Sequence, residues 1–229
     1  MKYRAVIFDL FGTLVDVPST SGLRRELAGM AAVLHLPVDD FTRLWFETSR
    51  QRSTGIFPDI AANVTYIVQS LGTEPDSAAI NKAVELRYAY TRRLLTPRTD
   101  AVEVLSGLRR RGSCIGLISG CSIDVPHIWP DTALNAAIEV AVFSCAVGMN
   151  KPDPRIYALA TQQLGVPPQD CLYVGDGANH ELEGALKAGM HPVMIRVSYE
   201  ADDDANRPDA DEWTGKVITS LSEVPGLVE

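Results

Sequence analysis

Six short runs, at 3–8, 114–119, 140–144, 171–174, 193–197 and, more weakly, 216–219, are apolar at consecutive positions and rich in Val and Ile. A strand with one wet face alternates apolar and polar residues. Unbroken apolar runs of this length belong to strands covered on both faces, as in parallel sheets. Helical patterns separate the later runs, at 100–111, 154–164 and 179–188, each followed by the glycine (Gly112, Gly165, Gly189) expected just past a helix end. Strands alternating with helices imply βαβ units and a three-layer, mostly parallel, Rossmann-like α/β core.

One stretch breaks the alternation. Between about 19 and 95 no strand pattern occurs, and helical periodicity covers 21–34, 39–52, 60–71 and 76–94. Breaks fall at Leu36-Pro37, at Gly55-Ile56-Phe57-Pro58 and at Gly72-Thr73-Glu74-Pro75. The sequence therefore predicts an α/β core built from 1–16 and 96–229, with an inserted all-α cap domain at 17–95. Val17-Pro18 and Thr96-Pro97 are its candidate hinges. An insertion rooted at the end of strand one lies over any site at that sheet edge, so it is expected to exclude water and read the substrate. Its candidate lining residues are Trp45, Phe46, Arg50, Arg52, Phe57 and Tyr66.

The totals exclude several classes. A formal net charge of −8 gives no electrostatic reason to bind nucleic acid or an anionic membrane. No apolar run is long enough to span a bilayer. Met-Lys-Tyr-Arg enters the first strand with no apolar leader, and the four cysteines (Cys114, Cys121, Cys145, Cys171) form no C-x-x-C pair. Reduced, buried thiols and a cytoplasmic location are the expectation. Asp202, Asp203 and Asp204, with Glu200, Asp209, Asp211 and Glu212, read as an acidic surface loop.

Polar groups gather at the strand ends. Asp9 closes the first strand and is followed by Leu10-Phe11-Gly12-Thr13; Ser119-Gly120 closes the second. Lys151 precedes the helix at 154, and Gly175-Asp176-Gly177 closes the fourth strand, with Glu181 five residues beyond Asp176. Each alone is an ordinary turn, cap or surface residue. Together they bring two carboxylates, a hydroxyl and an ammonium to one sheet edge, where open α/β sheets place their ligands. The set suits phosphoryl transfer. Asp9 and Asp176 can share Mg²⁺, Lys151 and Ser119 can bind the remaining oxygens, and backbone N–H groups around Leu10, Phe11, Gly12 and Gly120 can complete an anion cradle. Asp9 can then attack phosphorus.

In this order, and with a helical insertion after the first, the four segments resemble the motifs of the haloacid dehalogenase-like (HAD) hydrolase superfamily. The segments are Phe8-Asp9-Leu10-Phe11-Gly12-Thr13-Leu14, Leu117-Ile118-Ser119, Lys151-Pro152-Asp153-Pro154, and Val174-Gly175-Asp176-Gly177 with Glu181 and Gly184-Ala185. The resemblance implies a nucleophile and metal ligand at Asp9 and a metal-binding backbone carbonyl at Phe11. It implies metal ligation by Asp176, with Glu181 acting directly or through water, and Ser119 and Lys151 on the transferred group. Leu10, Phe11, Gly12, Thr13, Ser119, Gly120 and Lys151 would surround a small phosphorylated substrate. The resemblance leaves the oligomeric state open.

Two positions depart from the phosphatase pattern. Gly120 stands where Asn is frequent, which preserves the backbone N–H. Phe11 stands where the resemblance calls for a second Asp, the proton donor to the leaving alcohol. General acid–base help is worth about 10²–10⁴ in rate, so activity on alkyl esters should suffer. Replacements from Glu181, His180, Asp124, His127 or Glu47 are open. An aromatic residue at this position also resembles the metal-independent 2-haloacid dehalogenases, whose halide leaves without a proton. A third reading is a catalytically weak module that binds a phosphorylated ligand or a protein. Two or three uncompensated carboxylates around Asp9 would repel a substrate carboxylate, which favours Mg²⁺-dependent phosphate ester hydrolysis.

Overall fold

The computed structural model describes residues 2–199, 207–209 and 212–229. The elements run β1 (Ala5–Phe8), α1 (Thr20–Val33), α2 (Val38–Glu47), α3 (Ser49–Ser53), α4 (Ile60–Ser70), α5 (Ser77–Leu94), α6 (Ala101–Arg110) and β2 (Cys114–Ser119). They continue with α7 (Asp124–Ile128), β3 (Val140–Phe143), α8 (Ser144–Val147), α9 (Pro154–Leu164), β4 (Cys171–Gly175), α10 (Glu181–Lys187), β5 (His191–Ile195) and β6 (Val217–Ile218). All six expected strands form, in one sheet ordered β3-β2-β1-β4-β5-β6, and every paired neighbour is parallel.

The core has two apolar layers, one on each side of the sheet. Val6 and Phe8 of β1 point into a cluster with Val104, Leu105 and Leu108 of α6, joined by Leu221 and Val224 near the C-terminus. Ala5 and Ile7 point the other way, against Ile156, Tyr157 and Ala160 of α9 and Leu182 and Ala185 of α10. Alternate residues of one apolar run thus serve opposite layers, which explains why the run carries no polar positions.

Connections leave β1 toward β2 on one side, while β4 leads to β5 on the other. The strand order therefore reverses between β1 and β4, a topological switch point where ligands bind in open α/β sheets. Residues 20–94 contain helices only among the segments β1 and β2 enclose, and α1, α2, α4 and α5 share their own apolar cluster around Leu27, Phe41, Ile60, Ile67 and Ile80. Their entry and exit run side by side: Val15 bridges Pro97, and Arg98 N–H donates to Leu14 O at 2.9 Å.

Two helix boundaries differ from the sequence pattern. The pattern at 39–52 divides at Thr48, whose hydroxyl donates back to Leu44 O at 2.8 Å. Such back-bonding bends or ends helices. The pattern at 179–188 starts late, because Asn179 and His180 both sit at φ 54° and the α-helix begins only at Glu181. Of the expected acidic loop, residues 200–204 and 211 lie outside the described residues, and Asp209 is not a surface residue at all. It is buried and caps α10, accepting from Leu182 N at 2.9 Å.

Gly184 shows how tightly α10 is held against α9. A Cβ there would lie 2.6 Å from the Tyr157 hydroxyl and 2.9 Å from Pro152 Cβ. Helix propensity alone favours Ala over Gly by about 1 kcal/mol. Overpacking should reverse that sign, so Gly184→Ala is expected to lower stability by about 1–3 kcal/mol in urea unfolding. A more stable variant would show that the contact is not tight.

Candidate active site

The tips of β1, β2 and β4 and the segment before α9 converge at the switch point. Asp9, Asp176 and Glu181 are all buried, and one ligand oxygen from each lies within 4.8 Å of the others. Lys151, also buried, bonds Asp9 Oδ1 and Glu181 Oε2, and its Nζ lies 3.4 Å from the Tyr173 hydroxyl. Four of the polar residues singled out in the sequence thus meet in one crevice.

Each carboxylate is oriented differently. Asp176 Oδ1 accepts from Ala178 N at 3.0 Å. Glu181 Oε1 accepts from Gly177 N at 3.1 Å and its Oε2 from the Tyr173 hydroxyl at 2.8 Å. Burial pushes the Asp9 carboxyl above the usual range; Lys151 pulls it back, and Asp176 pushes it up again. Burial, then the charge of Asp9, pushes Glu181 up to about 8, opposed by Lys151. The flanking carboxylates hold the Lys151 ammonium protonated against its desolvation.

Arg207 was missed by the sequence reading. Its Nε donates to Asp176 Oδ2 at 2.8 Å, and its side chain is almost wholly covered. Nothing in the motif pattern signals it, because the segment before Asp209 reads only as polar and charged. With Arg207, two cations face three carboxylates.

Two hydroxyls near the strand tips are poorly satisfied. Among the described residues, Thr13 Oγ1 is buried without a hydrogen-bond partner, and Ser119 Oγ has none but the Cys121 thiol beside it. Two such hydroxyls next to Lys151 and the Asp9 loop fit an incoming anion. The Gly12 N–H, however, is not open to a ligand: it donates to Val15 O at 2.8 Å, closing the turn after Asp9. Arg98 clamps that turn from outside, donating to Gly12 O at 3.0 Å. A Cβ at Gly120 would meet only Lys151 Cε, at 3.9 Å, so the glycine there leaves open space and is not sterically required.

The other proton-donor candidates sit elsewhere. Asp124 is fully engaged by Arg87, Thr91 and Ser122. His127 stacks on Tyr88 at 4.4 Å, His180 pairs with Asp209 at 3.2 Å, and Glu47 bonds Arg43 on an exposed face. Phe11 is half-buried against the core and faces a cavity of about 240 Å³ under the helical insertion, which Trp45, Phe46 and Arg52 also line. Arg50 lies outside that cavity, and Phe57 packs instead on Tyr66 at 5.6 Å. All four cysteines are free thiols, three of them buried. Among the described residues no helix is long and apolar enough to cross a membrane.

The family model for haloacid dehalogenase-like hydrolases matches residues 3–189, and the chain belongs to that family. A Mycobacterium tuberculosis phosphatase is 29% identical over 90% of this chain and 94% of its own. The (S)-2-haloacid dehalogenase of Xanthobacter autotrophicus is 27% identical over 86% and 77%. The glyceraldehyde 3-phosphate phosphatase of Methanopyrus kandleri is 28% identical, and the match spans 62% of each chain. Among solved structures, a HAD phosphatase from Thermococcus onnurineus superposes with a TM-score of 0.67 at 20% identity, covering 98% of this chain and 97% of that one.

Gly12 is the tightest point of the crevice. It sits at φ 80°, and a Cβ would lie 2.2 Å from Asp176 Oδ2. Gly12→Ala should therefore displace the Asp176 carboxylate, at a cost of about 1–3 kcal/mol in urea unfolding. Unchanged stability would refute the close approach.

Proposed function

We propose that this hydrolase cleaves phosphate monoesters in a Mg²⁺-dependent reaction with Asp9 as nucleophile. The observation that carries this reading is the buried cluster of Asp9, Asp176 and Glu181, with one oxygen from each inside 4.8 Å. Lys151 and Arg207 are both bonded to the acidic cluster and leave the crevice no surplus positive charge, a poor host for a phosphate dianion. The donor set is hard oxygen, the kind Mg²⁺ prefers. Asp9, Asp176 and the Phe11 carbonyl would hold the ion, which would supply the positive charge that lets two anions meet. Glu181 spends its oxygens on Gly177 N, Tyr173 and Lys151, so it serves chiefly to hold Lys151 and would support the ion directly or through water.

In the reaction, an Asp9 oxygen attacks phosphorus, the P–O bond to the alcohol breaks, and an aspartyl-phosphate forms. Water then attacks that phosphorus, releasing inorganic phosphate and restoring Asp9. Lys151 and the Ser119 hydroxyl bind the transferred oxygens. No side chain at position 11 can protonate the departing alkoxide, so esters of acidic alcohols are the better substrates.

The aromatic at position 11 also supports a second reading, metal-independent 2-haloacid hydrolysis, in which no proton is needed. The acidic cluster weighs against it, since without a cation it would repel a substrate carboxylate. The helical segment at 17–95 is, on this proposal, the cap that covers the site. Family membership favours an enzyme over a binding module.

Phosphate release from 4-nitrophenyl phosphate should need Mg²⁺, stop on chelation and fall at least 10³-fold in Asp9→Asn. Halide release from 2-chloropropionate in the presence of chelator, with no phosphatase activity, would overturn the proposal. Phe11→Asp should raise kcat on alkyl phosphates by about 10²-fold, with a smaller effect on aryl esters. Equal effects on both ester types would show that proton supply is not what position 11 lacks.

A further inference from the structure

The cavity under the helical insertion contains a cation the phosphate chemistry does not use. Arg52 is 7% exposed and lines this space together with Phe11 and Gly120, the two positions it shares with the anion site. Its Nη1 is fully spent, donating to Trp45 O at 2.7 Å, Thr48 Oγ1 at 2.8 Å and Asn63 Oδ1 at 3.1 Å. Its guanidinium carbon lies 4.0 Å from the Trp45 ring centroid. Among the described residues, Nε and Nη2 find no hydrogen-bond partner, yet neither is among the buried polar atoms sealed from solvent. They form the open fork of a guanidinium whose other edge and one face are fixed. Among the described residues, no carboxylate lies within ion-pair distance of it.

The nearby acids both pair with Arg87, although Glu26 Oε1, sealed from solvent, has no hydrogen-bond partner among the described residues. Arg87 bonds Asp124 at 2.8 Å and Glu26 at 3.4 Å, and Asp124 also accepts from Thr91 and Ser122. The charge of Asp124 is thus offset where it faces the cavity. Burial, then repulsion from Arg87, pulls the Arg52 guanidinium down to about 9, still protonated at neutral pH. A buried cation held in place on one edge and unpaired on the other is costly unless a ligand completes it.

We propose that this cavity receives the alcohol part of the substrate, and that Arg52 binds a carboxylate on it through Nε and Nη2. Resting on the phosphatase reading above, this assigns the substrate class: small monophosphate esters whose leaving group carries a carboxylate. Bidentate pairing of a planar fork with a planar carboxylate gives both affinity and orientation. Leu23, Trp45, Phe46 and Leu94 supply apolar walls for the carbon skeleton between the two anionic ends. The open space at Gly120 lets that skeleton pass beside Lys151.

A matched pair of aryl esters tests this. The 4-carboxyphenyl and 4-carbamoylphenyl phosphates have nearly the same shape and differ in charge. Wild-type enzyme should favour the carboxylate ester by at least tenfold in kcat/KM, chiefly through KM. Arg52→Gln should reduce that ratio at least tenfold, and Arg52→Lys, which keeps the charge but not the fork, should retain part of it. A purely structural Arg52 would depress both esters alike and leave the ratio intact, which would overturn the proposal, as would equal use of both by wild type. If neither ester is hydrolysed, the phosphatase reading fails by itself. Calorimetric titration with 4-hydroxybenzoate then decides the Arg52 site: binding lost in Arg52→Gln upholds it, and no binding to wild type refutes it.

Discussion

The structure is organised around the problem of holding three carboxylates in one crevice without water. At an effective dielectric near 20, two like charges about 4 Å apart repel by about 4 kcal/mol. Lys151 bonds two of those groups and Arg207 the third, and burial beside Asp9 favours the protonated form of Glu181. The surrounding backbone is bent to serve this arrangement. The left-handed residues Asn179 and His180 delay the start of α10 until Glu181 faces Lys151, and Asp209 fixes the N-terminal end of that helix. Strained backbone at a site persists only where neighbouring contacts over-determine it. Here Asp209 supplies two of those contacts, since it holds both His180 and Leu182 N.

The helical insertion is tied to the core by polar and apolar contacts. Arg87 of α5 pairs with Asp124 of α7, Ser53 accepts from Asn150 Nδ2 at 2.9 Å, and Tyr88 packs against the sheet-side apolar cluster as well as the helical one. Gly55 approaches β3's end so closely that a Cβ would lie 2.1 Å from Cys145 O. Any separation of the insertion from the strand tips must break the buried Arg87–Asp124 pair. Exposure to water offsets much of that loss, because both ions regain solvent.

Most of the sheet was legible because its signal is strong: a strand buried on both faces has nowhere to put a polar residue, so five runs stand out, while the edge strand β6, with Val217 exposed, is weaker. Asp9, Ser119, Lys151 and Asp176 were legible because parallel topology sends every strand's C-terminal end to the same edge. What stayed hidden depends on tertiary contact. Thr48 looks like any helix residue until its hydroxyl finds Leu44 O. Asp209 looks like a loop acid until α10 needs a cap, and Arg207 carries no spacing signal that aims it at Asp176. The Gly12 N–H, expected in the anion cradle, is instead consumed by Val15 O, because the chain must reverse within the few residues before the insertion begins.

Phe11 and Gly120 take their meaning from this layout. An aspartate at position 11 would add a fourth carboxylate to a crevice already short of positive charge, whereas Phe11 adds apolar surface to the cavity wall. Glycine at position 120 removes side-chain volume beside Lys151 without any steric compulsion. Both changes act in one direction. They take proton-transferring and hydrogen-bonding side chains away from the border between crevice and cavity, and they leave a smooth, open passage toward the unpaired edge of Arg52. Discrimination then falls to groups on the insertion, where a fixed guanidinium can distinguish a charged end from a neutral isostere more sharply than an apolar wall distinguishes one methylene from another.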